Sequence, residues 1–490
     1  MTLKTQEEYI ESLRAMDIQV YMFGKRVHPI DDPILWPAMN CIAKTYELAL
    51  DPRYKELMTS KSDMTGEEVN ICTAFCKSPQ DIVRRLKMER MVSQKTARGC
   101  VRSPGLDAMN ALATVTYEID EKYGSEYFRR LQNYVRYVQE NDLSVSGAMT
   151  DAGGDRSLRP HQQADPDMAV HIVEERSDGI IVRGAKVHQT GAIHCHETIV
   201  MPLLSRTEED KEYAVSFALP QDTKGLFHIV GRQPSDSRKL EGGDIDVGNV
   251  RYGGVESLMI FEDVFVPWDR VFMCREWEFT QSAVERFGSN HRQCYGGCKA
   301  GIADVLIGAA ATIADFNGIG GARSVRDKIT QMIHLNETMY ACGLACSYEA
   351  VETPSGVYQV DIRMANVCKL NVTRFMYEIA WLAQDIAGGL VVTLPSEKDF
   401  RDSHLGEYIK KYLRANTDVP TEHRIRMLRL IENMTVGTNS SYTLVESLHG
   451  AGPPDALKMT IRRHTDLEFL KGLARELAGI ESESQDTPVD

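Results

Sequence analysis

The segment His291-Arg-Gln-Cys294-Tyr295-Gly296-Gly297-Cys298-Lys299 places an imidazole, two thiols, a phenol and a cation within nine residues. On a helix, steps of three, four and seven bring His291, Cys294, Tyr295 and Cys298 to one face. Imidazole and thiolate are ligands for soft metals, and imidazole and phenol both carry protons. Gly296 and Gly297 each cost a helix about 1 kcal/mol relative to alanine, which implies that something approaches the backbone closely. Two readings stand: a functional face, or a core helix with close neighbours.

Two further segments carry possible chemistry. In Gly147-Ala-Met-Thr150-Asp151-Ala-Gly153-Gly154-Asp155-Arg156, the paired glycines let backbone amides approach an anion or carbonyl, and Arg156 adds a bidentate donor. A polar linker is the alternative. In Gln384-Asp385-Ile-Ala-Gly388-Gly389, the glycines follow a predicted helix. They either admit a ligand to the backbone or form a helix C-cap.

The elements that must position these residues change texture twice along the chain. Residues 1–142 read as helical. Thr5 and Glu8 form a capping-box pattern, and Ile82, Leu86 and Val92 recur near helical spacing, as do Tyr127, Leu131, Tyr134 and Val138. Residues 143–272 read as a β domain. A hairpin over 170–183 turns at Ser177-Asp178-Gly179, and strands follow at 197–201, 213–218, 227–230 and 257–265. Their short spacing predicts an antiparallel barrel or sandwich. Residues 273–490 return to helical periodicity over 279–315, 324–351, 359–387 and 421–449, with a shorter segment near 455–478 and an acidic tail. Helices, then strands, then helices is α+β layering, not the βα alternation of a dinucleotide-binding fold. Gly318-Ile-Gly320-Gly321 follows a helix and lacks the final glycine of that fingerprint.

A formal charge of −14 argues against a nucleic-acid partner. Eleven cysteines in 490 residues are too dilute for a disulfide scaffold and fit a reducing compartment. The N-terminus has no basic start followed by an apolar run, and the apolar stretch 300–314 is interrupted by Asp304 and too short to span a bilayer. A cytoplasmic protein without a membrane partner is the expectation.

These segments also carry a family resemblance. Tyr21-Met-Phe-Gly24, Gln139-Glu-Asn-Asp-Leu143, Gly147-Ala-Met-Thr-Asp151, Val182-Arg-Gly-Ala-Lys186, His188-Gln-Thr-Gly191, His334-Leu-Asn-Glu-Thr338, Asp385-Ile-Ala-Gly-Gly389 and His449-Gly-Ala-Gly452 occur in order almost end to end. With them the chain resembles the 4-hydroxybutyryl-CoA dehydratase/vinylacetyl-CoA Δ-isomerase family, relatives of the flavin-dependent 4-hydroxyphenylacetate 3-hydroxylases. The resemblance implies an acyl-CoA dehydrogenase-like fold, a homotetramer and FAD bound partly across subunits. It implies flavin contacts from Thr150, Asp151, Gly153, Gly154, Asp155 and Arg156, and from His188, Gln189 and Thr190. A neighbouring subunit would contribute Gln384, Asp385, Gly388 and Gly389. Tyr295, Glu446 and Glu256 match residues implicated in proton transfer or site architecture, and His291 joins them as a catalytic candidate.

The dehydratase resemblance also implies a four-iron, four-sulfur cluster held by three cysteines and a histidine. His291 and Cys298 match two ligands. Aligned on Lys95-Thr-Ala97 and Gly105-x-Asp107, the other two positions hold Gly99 and Ser103. Glycine offers no ligand, and serine is a poor substitute for thiolate. The expectation is therefore FAD without the cluster and without a metal. A displaced cluster on Cys100, Cys294, His291 and Cys298 is the rival arrangement. Expelling hydroxide from an unactivated carbon is hard without a Lewis acid, whereas a β,γ to α,β double-bond shift needs only a base, an acid and enolate stabilisation. The sequence thus predicts isomerase-type chemistry, or a related dehydration, on a small substrate such as a CoA thioester. A flavin monooxygenase and a catalytically degenerate binding paralogue are the alternatives.

Overall fold

The computed structural model describes residues 3–99, 101–203, 206–232, 236–249 and 251–480. The first helix, Gln6–Arg14, starts as the sequence predicts: the Thr5 hydroxyl accepts from the Glu8 amide, and the Glu8 carboxylate accepts from the Thr5 amide. Helices Trp36–Leu50, Pro79–Thr96, Ser103–Tyr123 and Tyr127–Glu140 follow. Gly124, with φ +68°, divides the last two.

The N-terminal region is not purely helical. Strands Val20–Met22 and Lys25–Val27 form a hairpin that turns through Phe23 and Gly24, both at positive φ. Three residues per strand are too few for an alternating pattern to stand out in the sequence. This hairpin extends the larger of two central sheets, whose order is Lys25–Val27, Val20–Met22, Leu226–Val230, Ser257–Pro267, Gly179–Lys186 and His171–Glu175. The smaller sheet runs Val271–Cys274, Val215–Pro220, Glu197–Val200 and Val145–Ala148. The sheets are mixed, not wholly antiparallel. Val20–Met22 runs parallel to Leu226–Val230, and Val145–Ala148 parallel to Glu197–Val200. Neither pair is joined by a tight hairpin, the connection that enforces antiparallel pairing.

The 37-residue helix Thr280–Phe316 is the axis of the C-terminal layer. It packs against Pro79–Thr96, Arg323–Tyr348 and Ile362–Ala387. By length and apolar composition the segment Trp277–Phe316 passes for a membrane span, yet 67% of its apolar window is buried inside the protein. Its glycines explain that closeness. A Cβ on Gly297 would stand 2.4 Å from the Leu86 carbonyl oxygen, and one on Gly301 would stand 2.3 Å from that of Arg90. Neighbouring helices are what approach this backbone. The periodic stretch 421–449 is interrupted: helix Thr421–Thr435 ends, a π turn covers Ser441–Val445, and one α-turn, Glu446–His449, completes it. The whole is an α+β architecture of N-terminal helices, a central β region and a C-terminal helical layer.

Candidate active site

Loops, helices and a π turn converge on one buried charge network. The loop after Pro79–Thr96 supplies Arg98, and the segment before strand Ser257–Pro267 supplies Glu256. The long helix supplies His291, Tyr295 and Lys299, while the π turn and the α-turn after it supply Tyr442 and Glu446. A π turn widens the helix locally and is common where side chains are aimed at a site.

Arg98 sits at the centre. It is 2% exposed, with its guanidinium 4.5 Å over the Tyr442 ring. Nη1 donates to the Gly99 carbonyl oxygen at 2.9 Å and pairs with Glu446 Oε2 at 2.9 Å. Nη2 lies 3.8 Å from Glu256 Oε1, an ion-pair distance too long for a hydrogen bond. Lys299 Nζ donates to Glu446 Oε1 at 3.2 Å and to the Tyr442 carbonyl oxygen at 2.9 Å. Lys369, on Ile362–Ala387, donates to the Ser447 carbonyl oxygen at 2.6 Å. The Lys299 and Lys369 ammonium groups lie 5.2 and 4.8 Å from the Tyr295 ring centre. Gly450 makes room for the Tyr295 phenol, since a Cβ there would stand 2.1 Å from its oxygen.

This environment separates the two carboxylates. Burial pushes Glu256 up, the neighbouring Glu446 charge adds to it, and Arg98 only partly offsets both, leaving it at about 7. Burial also works to raise Glu446, but Arg98 and Lys299 outweigh it and hold this carboxyl below its usual value. One carboxylate is thus held ionised and the other kept as a proton donor near neutrality, the division of labour that acid–base catalysis needs. Burial, with the Glu446 charge, pushes the Tyr295 phenol well above its usual value.

A second network adjoins the first. His291 Nδ1 lies 2.7 Å from Asp107 Oδ2, and Arg85 pairs with the other Asp107 oxygen. The carboxylate assigns the His291 proton to Nδ1 and orients the ring edge-on to Tyr295, with centres 5.3 Å apart. Asp107, His291 and Cys294 bring ligand-type atoms within 4.8 Å of one another. Arg85, however, already neutralises Asp107, and burial raises the Cys294 thiol well above its usual value.

Among the described residues, two of the cluster-ligand positions offer no thiol. Gly99 has no side chain, and a Cβ there would stand 2.3 Å from Ser93 Oγ and 2.4 Å from Cys298 Cβ. Ser103 donates to Glu89, and Cys298 is disulfide-bonded. Cys100 lies outside the described residues.

The flavin-segment residues fall in three places. Asp151 is buried, paired with Lys186 at 2.6 Å and Arg206 at 3.0 Å, and anchors its loop to the end of strand Gly179–Lys186. Thr150 and Gly153 are partly buried, whereas Gly154, Asp155 and Arg156 are exposed. His188 is exposed at φ +59°, and the buried Gln189 presents an amide oxygen without a hydrogen-bond partner. Thr190 donates to Glu256 Oε2 at 2.9 Å, which joins this segment to the charge network. Gln384, Asp385, Gly388 and Gly389 lie at the far end of helix Ile362–Ala387, where Gly388 is the C-cap and Asp385 pairs with Lys328. Gln384 is about 22 Å along the axis from Lys369 at 1.5 Å per residue.

The family resemblance named His291, Tyr295, Glu256 and Glu446, which lie together in these two networks. It missed Arg98, Tyr442, Lys369, Asp107 and Arg85. The available signal for Arg98 was its place beside Gly99, in a segment already singled out.

Comparison with known proteins places this geometry. The family model for the N-terminal part of 4-hydroxyphenylacetate 3-hydroxylase matches residues 5–273, and the C-terminal model matches residues 280–479. The 4-hydroxybutyryl-CoA dehydratase/vinylacetyl-CoA Δ-isomerase of Clostridium aminobutyricum is 51% identical over 98% of this chain and 100% of its own length. The structure of an oxygen-tolerant archaeal 4-hydroxybutyryl-CoA dehydratase from N. maritimus superposes with a TM-score of 0.97 at 49% identity, covering 100% of this chain and 97% of that one. The oxygenase component of 4-hydroxyphenylacetate 3-monooxygenase complexed with FAD superposes with a TM-score of 0.86 at 27% identity, covering 97% and 98%. The chain belongs to the 4-hydroxyphenylacetate 3-hydroxylase superfamily and, within it, to the 4-hydroxybutyryl-CoA dehydratase/vinylacetyl-CoA Δ-isomerase family.

Proposed function

We propose that this protein is a FAD-dependent enzyme that moves the double bond of a short acyl-CoA from the β,γ to the α,β position without an intact iron–sulfur cluster. The observation that carries the reading is the pair Glu446 and Glu256, set against two nitrogens of one buried guanidinium and driven apart in pKa. Ionised Glu446 takes the α-proton, and the electron pair moves onto the thioester oxygen as an enolate. Protonated Glu256 returns a proton at the γ-carbon as the enolate collapses, so the sum is a 1,3-proton shift with no change of oxidation state.

Among the described residues, those at the cluster positions do not fit the cluster. Two of its positions hold Gly99 and Ser103, and the space beside Gly99 is filled by Cys298 and Ser93. No step is drawn through it. They do fit a flavin: a glycine-containing loop fixed by Asp151 and the unpaired Gln189 amide oxygen suit a polar heterocycle. Bound there, FAD would supply one- or two-electron chemistry and a planar wall to the site. The relatives named for a CoA substrate and for FAD support both choices.

The protein acts as a cytoplasmic homotetramer in this reading. Helix Leu467–Leu477 buries none of its residues within the chain, and Trp381 and Val392 are 60% and 85% exposed near Gln384 and Gly389. A second copy that covers these faces would also bring 384–389 to its neighbour's flavin.

Anaerobic purification followed by flavin and iron quantitation, then assay with vinylacetyl-CoA and 4-hydroxybutyryl-CoA, tests the proposal. Stoichiometric flavin, negligible iron and formation of crotonyl-CoA from vinylacetyl-CoA are expected. Protein that cannot be loaded with flavin, stoichiometric iron and sulfide, or no turnover of vinylacetyl-CoA would overturn it.

A further inference from the structure

The guanidinium of Arg98 is only half used. Nη1 is committed to Gly99 and Glu446. Nε and Nη2 are buried and have no hydrogen-bond partner. These two nitrogens form the side edge of a guanidinium, the two-donor fork that grips an oxygen anion. A buried donor left without a partner is costly, so an unpaired fork inside a folded protein calls for a ligand.

The surroundings say which kind. The fork lies beside Glu256, whose side chain is 24% exposed against 13% for Glu446 and 2% for Arg98, so the network opens to solvent on the Glu256 side. Gly254 borders the same edge: a Cβ there would stand 2.8 Å from Arg98 Nε and 2.6 Å from Tyr442 Cζ. With no side chain, Gly254 comes up to that edge without a clash. A cation with two directed donors, placed between a base and an acid, meets the demand of an enolate oxygen.

We infer that the Nε–Nη2 fork of Arg98 is the oxyanion site, receiving the thioester oxygen as negative charge develops on it. This rests on the isomerase reading above. Removal of the α-proton sends the C–H electron pair into the C–C bond and the carbonyl pair onto oxygen, and the fork receives that charge. Reprotonation at the γ-carbon restores the carbonyl. Gly99 is part of the device, because its carbonyl and Glu446 engage Nη1 and leave the opposite edge without a hydrogen-bond partner.

The test separates enolate formation from the double-bond shift. Flavin-loaded protein is incubated with butyryl-CoA, which can enolise but not isomerise, in D2O, and α-deuteration is followed by mass spectrometry. Wild type is expected to exchange the α-hydrogens and to isomerise vinylacetyl-CoA. Arg98→Gln, lacking fork and charge, should lose exchange by about 10²–10³-fold, the usual effect of deleting an oxyanion donor. Arg98→Lys keeps the charge but not the fork. It should lose at least tenfold in kcat with flavin content and KM retained. Guanidinium ion should restore exchange to Arg98→Ala. If Arg98→Gln fails to fold, Arg98→Lys decides alone. A loss below tenfold in Arg98→Lys overturns the oxyanion assignment and leaves the isomerase reading standing. Wild type that neither exchanges nor isomerises overturns the isomerase reading, and the assignment falls with it.

Discussion

Gly99 and Cys298 touch through the space a side chain would need: a Cβ on Gly99 would stand 2.4 Å from the Cβ of Cys298. The backbone of one position has closed onto the side chain of the other. Gly99→Ala is expected to destabilise the protein by about 1–3 kcal/mol through overpacking, read as a lower Tm. Gly99→Cys should show the same loss without acquiring iron. An unchanged Tm in Gly99→Ala would mean that this contact yields easily.

Glu446→Gln removes the proposed base while preserving its shape. We expect kcat for vinylacetyl-CoA to fall by about 10²–10⁴-fold, the range of general-base catalysis, with flavin content unchanged. Turnover equal to wild type would remove Glu446 from the mechanism.

The pH profile follows from Glu256. Its pKa is raised to about 7, so the protonated form, the proposed donor at the γ-carbon, predominates below that pH and is lost above it. The rate should fall as pH rises through about 7. Glu256→Gln should give a low, flat profile over the same interval. Retention of the alkaline fall in that variant would assign the acid elsewhere.

Asp107 is fully buried between Arg85 and His291. Asp107→Asn strips the charge from that pair and leaves a buried arginine uncompensated, a change worth about 3–5 kcal/mol in comparable pairs. Denaturant unfolding should show a loss of that order. A loss below about 1 kcal/mol would place the pair among surface-like bridges.

Gly297→Ala sets helix propensity against packing. Alanine favours the helix by about 1 kcal/mol, but its Cβ would press within 2.4 Å of the Leu86 carbonyl oxygen. Packing decides the sign, so a lower Tm is expected. A higher Tm would show that helix Pro79–Thr96 can move away.

Local chemistry was legible in the sequence, and long-range chemistry was not. The Thr5–Glu8 capping box and the helical faces around Leu86 and Tyr134 depend on neighbours within a turn. The short strand Val20–Met22 depends on Leu226–Val230 and left no pattern of its own. The His291 face was read correctly as a face, but its partner Asp107 lies 184 residues away. Gly296 and Gly297 correctly signalled a close approach without revealing that helices make it. Arg156 looked like a fixed donor and is exposed, while the buried Arg98 was not singled out. Which arginine a fold encloses is set by the elements that cover it.

The hydrogen bond from Thr190 to Glu256 joins a candidate cofactor segment directly to a proton-carrying group. Any ligand that shifts Thr190 must therefore change the proton affinity of Glu256, and protonation of Glu256 must change the affinity for that ligand by the same factor. Cofactor loading and proton uptake are then two readings of one equilibrium. The enzyme would take up or release a fraction of a proton as its cofactor binds, measurable as a buffer-dependent heat of binding.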